Sequence, residues 1–146
     1  MIEPRRNTDP VCCAPPSGPP PVLLLVGERE SARAAREFVR EFVRYHVPDA
    51  SEDYVETVAL VTCELVTNAI RYGTEPGDSL RVTLDADDTR TRVEVQDPVR
   101  RRPRPRPESD ERDRGRGLII LDALCHSWGV TDVAFGKVVW AKVKAS

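Results

Sequence analysis

The sequence predicts an α+β protein, a two-layer sandwich in which three helices cover one face of a mixed, mostly antiparallel sheet of about five strands. Two observations lead to this prediction. Apolar and polar residues alternate over 80–97 around an Asp-rich turn, as in a β-hairpin, and the segments 128–133 and 137–143 are predicted to form a second hairpin around 134–137. The segments at 31–45, 51–72 and 117–125 instead repeat apolar residues at helical spacing. Hairpins and helices in this order bury their apolar faces against each other in two layers.

The first half of the chain supplies one strand and two helices. Residues 1–21 are rich in proline and poor in aliphatic side chains, which is typical of a disordered tail. The apolar run at 22–27 predicts a strand, and Ser31 is the expected N-cap of the helix that follows. The second helix is predicted to end at Gly73 in a left-handed cap. The folded domain therefore begins at residue 22 and is expected to extend to residue 144.

The second half contains both hairpins and a long connection. Residues 98–114 consist of proline and charged residues with almost no apolar side chain, which predicts a long mobile loop. The final hairpin turns around residues 134–137, and Trp128 and Trp140 on its strands are assigned to the core.

Composition excludes several classes of protein. The chain has 146 residues, enough for one domain with a real core, and a formal charge of −2 does not indicate a general polyanion binder. No apolar run approaches the roughly 20 residues of a membrane span, and the first residues lack the apolar core of a signal peptide. Four cysteines without CxxC spacing fit reduced thiols. We therefore expect a cytoplasmic protein without a membrane anchor.

Glu64 and Asn68 are one helical turn apart on a side of the second helix that is distinct from its main apolar stripe. The simplest interpretation is a solvated face. However, Leu60 and Val61 are on the same side, and asparagine is a poor residue for a helix interior. A carboxylate beside an amide oxygen is also a set of hard ligands that Mg²⁺ accepts when phosphates and water complete its coordination.

Two further signals accompany this pair. Asp97 ends a strand before Pro98, where it either starts a turn or accepts a hydrogen bond from an amine such as that of adenine. Gly115 and Gly117 directly precede an apolar helix, where backbone N–H groups attract anions such as phosphate. Glycines are also common in loops before helices, so this signal is weak by itself.

In this order, the segments "ELVTNAIRYG", "VEVQDP", "GRGLIILDAL" and "GKVVWAKV" resemble the GHKL ATPase superfamily, which has the Bergerat-type ATP-binding fold. The chain is most similar to the small anti-sigma factor serine/threonine kinases of bacteria. The resemblance covers residues 22–144, which it identifies as a histidine-kinase-like ATP-binding domain.

The resemblance implies a role for each residue of these motifs. Glu64 would be the catalytic residue that orients or activates the attacking hydroxyl, and Asn68 would bind Mg²⁺. Asp97 would read the adenine amino group. Four residues would belong to the lid and the phosphate contacts: Gly115, Arg116, Gly117 and Leu118. Arg71 extends the Glu64/Asn68 side by one turn and is a candidate phosphate contact, although an exposed arginine without a role is an equal alternative.

The implied function is an ATP- and Mg²⁺-dependent kinase that binds a sigma factor and phosphorylates its small antagonist protein, with homodimerisation also possible. The chain departs from the family pattern at Val99 and Arg101, where kinases of the family carry glycines. A nucleotide-sensing interaction module without catalysis is therefore the alternative. A more distant alternative is nucleic-acid binding through the arginine- and proline-rich loop, whose "RRRPRPRP" run favours an extended basic ribbon.

Overall fold

A computed structural model describes residues 18–74, 77–97, 119–134 and 136–145. The strands are β1 (Val22–Val26), β2 (Ser79–Ala86), β3 (Arg90–Asp97), β4 (Ser127–Val133) and β5 (Gly136–Lys144). The helices are α1 (Ser31–His46), α2 (Glu52–Gly73) and α3, which is described over 119–124. The predicted tail at 1–17 and the predicted loop at 98–114 lie outside these residues.

The five strands form one sheet in the order β1-β2-β3-β5-β4, and every neighbouring pair is antiparallel. The predicted fold class is therefore confirmed. Because β5 pairs with both β3 and β4, the chain reaches the far edge of the sheet before its last strand returns to the centre. This connection places the end of β3 directly beside the start of β5.

The core lies between the sheet and the two long helices. Alternate residues of β2 and β3 point to the helix side, and all of these are buried except the partly buried Ala86, as the pleat of a strand requires. Helix α1 packs against β1 and β2, whereas α2 packs against β3 and β5. The fully buried side chains with the largest volumes include Leu65, Leu80, Leu121, Val39 and Val93.

Three local predictions were wrong. Ser31 is the first residue of α1 and not its N-cap, because its hydroxyl donates to the Val26 carbonyl and so ties the helix to the end of β1. Gly73 is the last residue of α2, and the helix ends at Thr74 in extended backbone, with the Thr74 hydroxyl donating to the Ile70 carbonyl at 3.0 Å. Trp140 lies on the face of the sheet opposite the helices, where the cations of Arg92 and Lys142 are 4.8 and 5.8 Å from the centre of its ring.

Candidate functional site

One flank of α2 is attached to α1 through two ion pairs. Arg40 contacts Glu56 at 2.8 Å, and Arg44 contacts Glu52 at 2.7 Å. Because α1 covers the β1–β2 side of the sheet, the other flank of α2 is directed towards β5 and β4.

Glu64 and Asn68 project from that second flank, since successive helical residues are about 100° apart. Both side chains are half-buried. The buried arc of α2 is wider than the predicted stripe, because it includes the fully buried Val61, about one turn from Glu64 on the helix surface. Glu64 and Asn68 therefore do not lie on a fully solvated face of the helix. Arg71 lies on the same flank, and its side chain is exposed.

Asp97 is the last residue of β3 and is only 1% exposed. Its side chain points to the helix side, in phase with Val93 and Val95. A residue that merely started a surface turn would project into water. Lys137 of β5, its direct cross-strand neighbour, places Nζ 3.3 Å from Oδ2. Asp97 is therefore a buried charged group in an ion pair.

Contacts at both ends of α2 set its direction across the sheet. Near the start of the helix, the Tyr54 hydroxyl lies 2.7 Å from Thr91 Oγ1 at the beginning of β3. Just past the end of the helix, Thr74 is so close to Gly27 that a Cβ added there would approach the threonine oxygen to 2.9 Å. Gly27 donates to the Asp78 carbonyl where β2 begins, and the start of β2 pairs with the end of β3. Helix α2 thus runs in the same direction as β3.

This direction brings the predicted residues of α2 to the end of the sheet where Asp97 lies. From Tyr54 to Asn68 the helix advances about 21 Å at 1.5 Å per residue. From Thr91 to Asp97 the strand advances about 20 Å at 3.3 Å per residue. Asn68 and Asp97 therefore lie at the same end of the sandwich, Asn68 in the helical layer and Asp97 in the sheet.

The helix-facing side of the edge strand β4 is less covered than the centre of the sheet among the described residues. Val130 of β4 pairs with Val139 of β5 on the helix side of the sheet, yet Val130 is 55% exposed. An apolar side chain on the inner face of a sheet is normally covered.

Lys137 is a charged neighbour of this site that sequence reasoning did not single out, and Asp132 of β4 pairs with Lys137 from the other side. The sequence shows that Lys137 is at the start of a strand that follows the final turn. It does not show that this strand, β5, is the one that pairs with β3 and so brings Lys137 beside Asp97. The predicted contributors Gly115, Arg116, Gly117 and Leu118, together with Val99 and Arg101, lie outside the described residues.

Other chemistry has less support among the residues that the structure describes. They contain no group of three or more His, Cys, Asp or Glu side chains that would hold a metal without further ligands. Cys63 and Cys125 are free thiols, and burial raises the pKa of Cys125 to about 11, so that thiol stays protonated at neutral pH. Within the same residues, no helix is both long and apolar enough to cross a membrane.

Helices that cover one face of a five-stranded antiparallel sheet are the arrangement of an ATPase domain of the GHKL type. The family model described as the histidine kinase-like ATPase domain matches residues 25–143. The chain therefore belongs to that family, and the match covers most of its length. A comparison with curated proteins finds no match.

Proposed function

We propose that this chain binds ATP with Mg²⁺ between the Glu64/Asn68 flank of α2 and the Asp97 end of the sheet, and acts as a regulatory serine/threonine protein kinase of the anti-sigma type. The observation that carries the proposal is Asp97, a carboxylate only 1% exposed on the helix-facing side of the sheet. Burial of a charged group is costly unless it is paired. A buried acceptor at this end of the sheet would be suited to recognise a ligand donor.

Asp97 would select the base. The exocyclic amino group of adenine donates a hydrogen bond to the carboxylate, and a base without a donor at that position leaves the acceptor unsatisfied. Sites that hydrogen-bond a specific ligand group discriminate strongly against analogues that lack it. The apolar side chains of Val130 and Val139 lie on the same side of the sheet, where they provide a surface for an aromatic ring.

Asn68 fits the requirements of a magnesium ligand. Mg²⁺ prefers oxygen ligands and keeps several waters, so one amide oxygen together with phosphate oxygens suffices and no carboxylate cluster is needed. When bound, Mg²⁺ would compensate the negative charge of the phosphates during transfer. Asn68 is half-buried, which limits the freedom of its side chain.

Glu64 would act as the general base one turn before Asn68. Its carboxylate accepts the proton of a serine or threonine hydroxyl on the partner protein while that oxygen bonds to the γ-phosphorus. The bond from the γ-phosphorus to the bridging oxygen breaks, and ADP leaves with the electron pair. Arg71, exposed on the same flank, would contact the phosphates. The resemblance assigns further phosphate contacts to Gly115, Arg116, Gly117 and Leu118.

The proposed partners are a sigma factor, which the protein would bind, and a small antagonist protein, which it would phosphorylate in the cytoplasm. Support for these partners, and for a homodimer, comes from the resemblance to single-domain anti-sigma factor kinases. The second candidate function is a nucleotide-sensing interaction module that does not transfer phosphate. Val99 and Arg101 favour this candidate, because they replace flexible glycines with bulkier side chains beside the adenine-reading aspartate.

Binding of labelled ATP tests the site. We expect Asn68→Ala to weaken Mg²⁺-dependent ATP binding about tenfold or more, which corresponds to about 1.4 kcal/mol. Gln96→Ala is the matched control, because this carboxamide lies on the opposite face of the sheet and accepts from Arg81 at 2.7 Å. Equal loss of affinity in the two variants, or wild-type protein that does not bind ATP, would contradict the proposal.

Phosphoryl transfer separates the two candidate functions. The protein is incubated with γ-labelled ATP and candidate antagonist proteins recovered from a lysate pull-down with and without ATP. We expect Glu64→Ala to lower label transfer by a factor of about 10² or more while ATP binding persists. Glu56→Ala, on the α1-facing flank of the same helix, is the control. ATP binding by the wild type without any label transfer would retire the kinase and leave the sensing module.

A further inference from the structure

The ion pair between Asp97 and Lys137 has an arrangement suited to more than neutralising charge. The two residues are direct cross-strand neighbours on β3 and β5, so their backbones fix how far apart the side chains begin. Asp97 is buried, whereas the Lys137 side chain is 27% exposed. The Asp97 carboxylate is therefore enclosed, and the Lys137 side chain beside it is partly accessible.

The lysine stands beside one oxygen of the carboxylate. Lys137 Nζ lies 3.3 Å from Asp97 Oδ2. An ionised carboxylate has about four lone-pair positions on its two oxygens, so it can accept from more than one donor at a time. A carboxylate has a broad torsional preference about its terminal bond. A cation fixed by the neighbouring strand restricts that rotation and so fixes the plane in which the ligand donor must approach.

The oriented carboxylate selects for one kind of ligand group. An ionised aspartate is an acceptor only. Adenine carries an exocyclic amino donor, and a purine that lacks this group leaves the aspartate without a ligand donor.

We propose that Lys137 is a positioning residue that orients the Asp97 carboxylate for a 6-aminopurine nucleotide and thereby sets base selectivity. The inference rests on the proposed nucleotide site and adds a residue to it. Lysine acts through the aspartate, so its removal should affect a ligand with the amino group more strongly than one without it.

The test compares the affinities of two nucleotides, ATP and the triphosphate of purine riboside, which differ only in the 6-amino group. Both are titrated with Mg²⁺ into full-length wild type, Lys137→Met, Lys137→Arg and Lys142→Met. Lys142 lies on the same strand but on the other face of the sheet, beside Trp140, and is the matched control. We expect the wild type and Lys142→Met to prefer ATP by about tenfold or more. Lys137→Met should lose most of that preference, and Lys137→Arg should retain it.

Equal weakening of both nucleotides by Lys137→Met would overturn the inference, because a purely structural lysine affects both ligands alike. An unchanged preference for ATP in Lys137→Met would overturn it as well. If Lys137→Met does not fold, Lys137→Gln decides, since it keeps a donor without the charge and should lower the preference at least about threefold. A wild type that binds neither nucleotide overturns the proposed function itself. A wild type that binds both equally refutes base reading by Asp97 and Lys137 while the nucleotide site stands.

Discussion

Thr91 and Asp97 are buried polar residues at opposite ends of β3, and both face the helical layer. At the Thr91 end, the hydroxyl meets Tyr54 at 2.7 Å, and Tyr54 also donates to the Val143 carbonyl at 3.1 Å. At the Asp97 end, a full charge meets Lys137 Nζ at 3.3 Å. The first end is a network of neutral groups, and the second is a buried ion pair.

The comparison teaches how the same strand face carries a neutral hydrogen-bond network at one end and a buried charge, the proposed base-reading group, at the other. Neutral hydroxyls that satisfy one another hold α2 on the sheet at low cost in desolvation. A buried carboxylate needs a counter-charge and contributes little net stability, yet it is a stronger acceptor for a ligand donor. Substitutions at the two ends should therefore separate stability from binding.

The largest effect is expected at the binding end. Asp97→Asn removes the charged acceptor, and we expect the affinity for ATP to fall about 100-fold, as for a lost hydrogen bond to a charged group. The change in thermal stability should be small, because the partly exposed Lys137 can reach water. Calorimetric titration measures the affinity. Asp88→Asn, at the exposed β2–β3 turn, is the control. Retained affinity in Asp97→Asn would erase the distinction between the ends.

The structural end should give the opposite result. Tyr54→Phe leaves Thr91 and the Val143 carbonyl without their common partner, and we expect a loss of about 1–2 kcal/mol in the free energy of unfolding. ATP affinity should stay within about twofold of wild type, since the hydroxyl is some 20 Å from Asp97 along the strand. Tyr45→Phe, at an exposed position on α1, is the control for denaturant titration.

The same tyrosine makes the comparison sensitive to pH. Burial raises the pKa of Tyr54 above its ordinary value of 10.0. The folded state then holds its proton more tightly than the unfolded state, so this contribution to stability is complete below pH 10 and decreases as the pH rises above it. Denaturant titrations should show the gap between wild type and Tyr54→Phe closing above pH 10. A gap that stays constant to the alkaline limit would argue against a buried hydroxyl.

A smaller effect is expected on the face of the sheet opposite the helices, away from Thr91 and Asp97. Gly129 lies under the indole of Trp140, and a Cβ at this position would come within 2.8 Å of the ring. Gly129→Ala should displace Trp140 outwards and lower the free energy of unfolding by about 1 kcal/mol, with a red shift of tryptophan fluorescence. ATP affinity should not change. A loss of ATP binding in this variant would show that the two faces are coupled.

The smallest effect is expected in the β2–β3 turn. Hydrogen bonds from the Thr89 hydroxyl, followed by the backbone N–H groups of Thr89 and Arg90, lower the pKa of Asp87 from 3.8 to about 2. The unfolded state therefore binds this proton first, and the stabilising contribution is present above pH 3.8 and is lost as the pH falls towards 2. Asp87→Asn should flatten the acid limb of the stability curve. An identical acid limb in both proteins would mean that the turn does not bind the carboxylate as described.

Much of the fold was predictable from local patterns. The alternation in β2 and β3 identifies the hairpin without tertiary information, because the pleat forces alternate residues to one buried face. The helical spacing in α1 and α2 is equally local. Errors occurred where a side chain found a distant or competing partner. The hydroxyl of Ser31 donates to the carbonyl of Val26 in β1. Trp140 contacts two cations on the face of the sheet opposite the helices, and the sequence of the strand does not show which face that is.

The sequence by itself determined the class of the protein and its main candidates, because Glu64 and Asn68 are four residues apart on one helix and Asp97 ends a strand that alternates. Only the tertiary structure decided which of the last two strands lies beside β3, and hence that Lys137 contacts the buried carboxylate. Strand order depends on long-range pairing, which carries no periodic signal within either segment. A charge that is buried and paired is therefore a property of the assembled sheet, whereas the identity of the charged residue is a property of the chain.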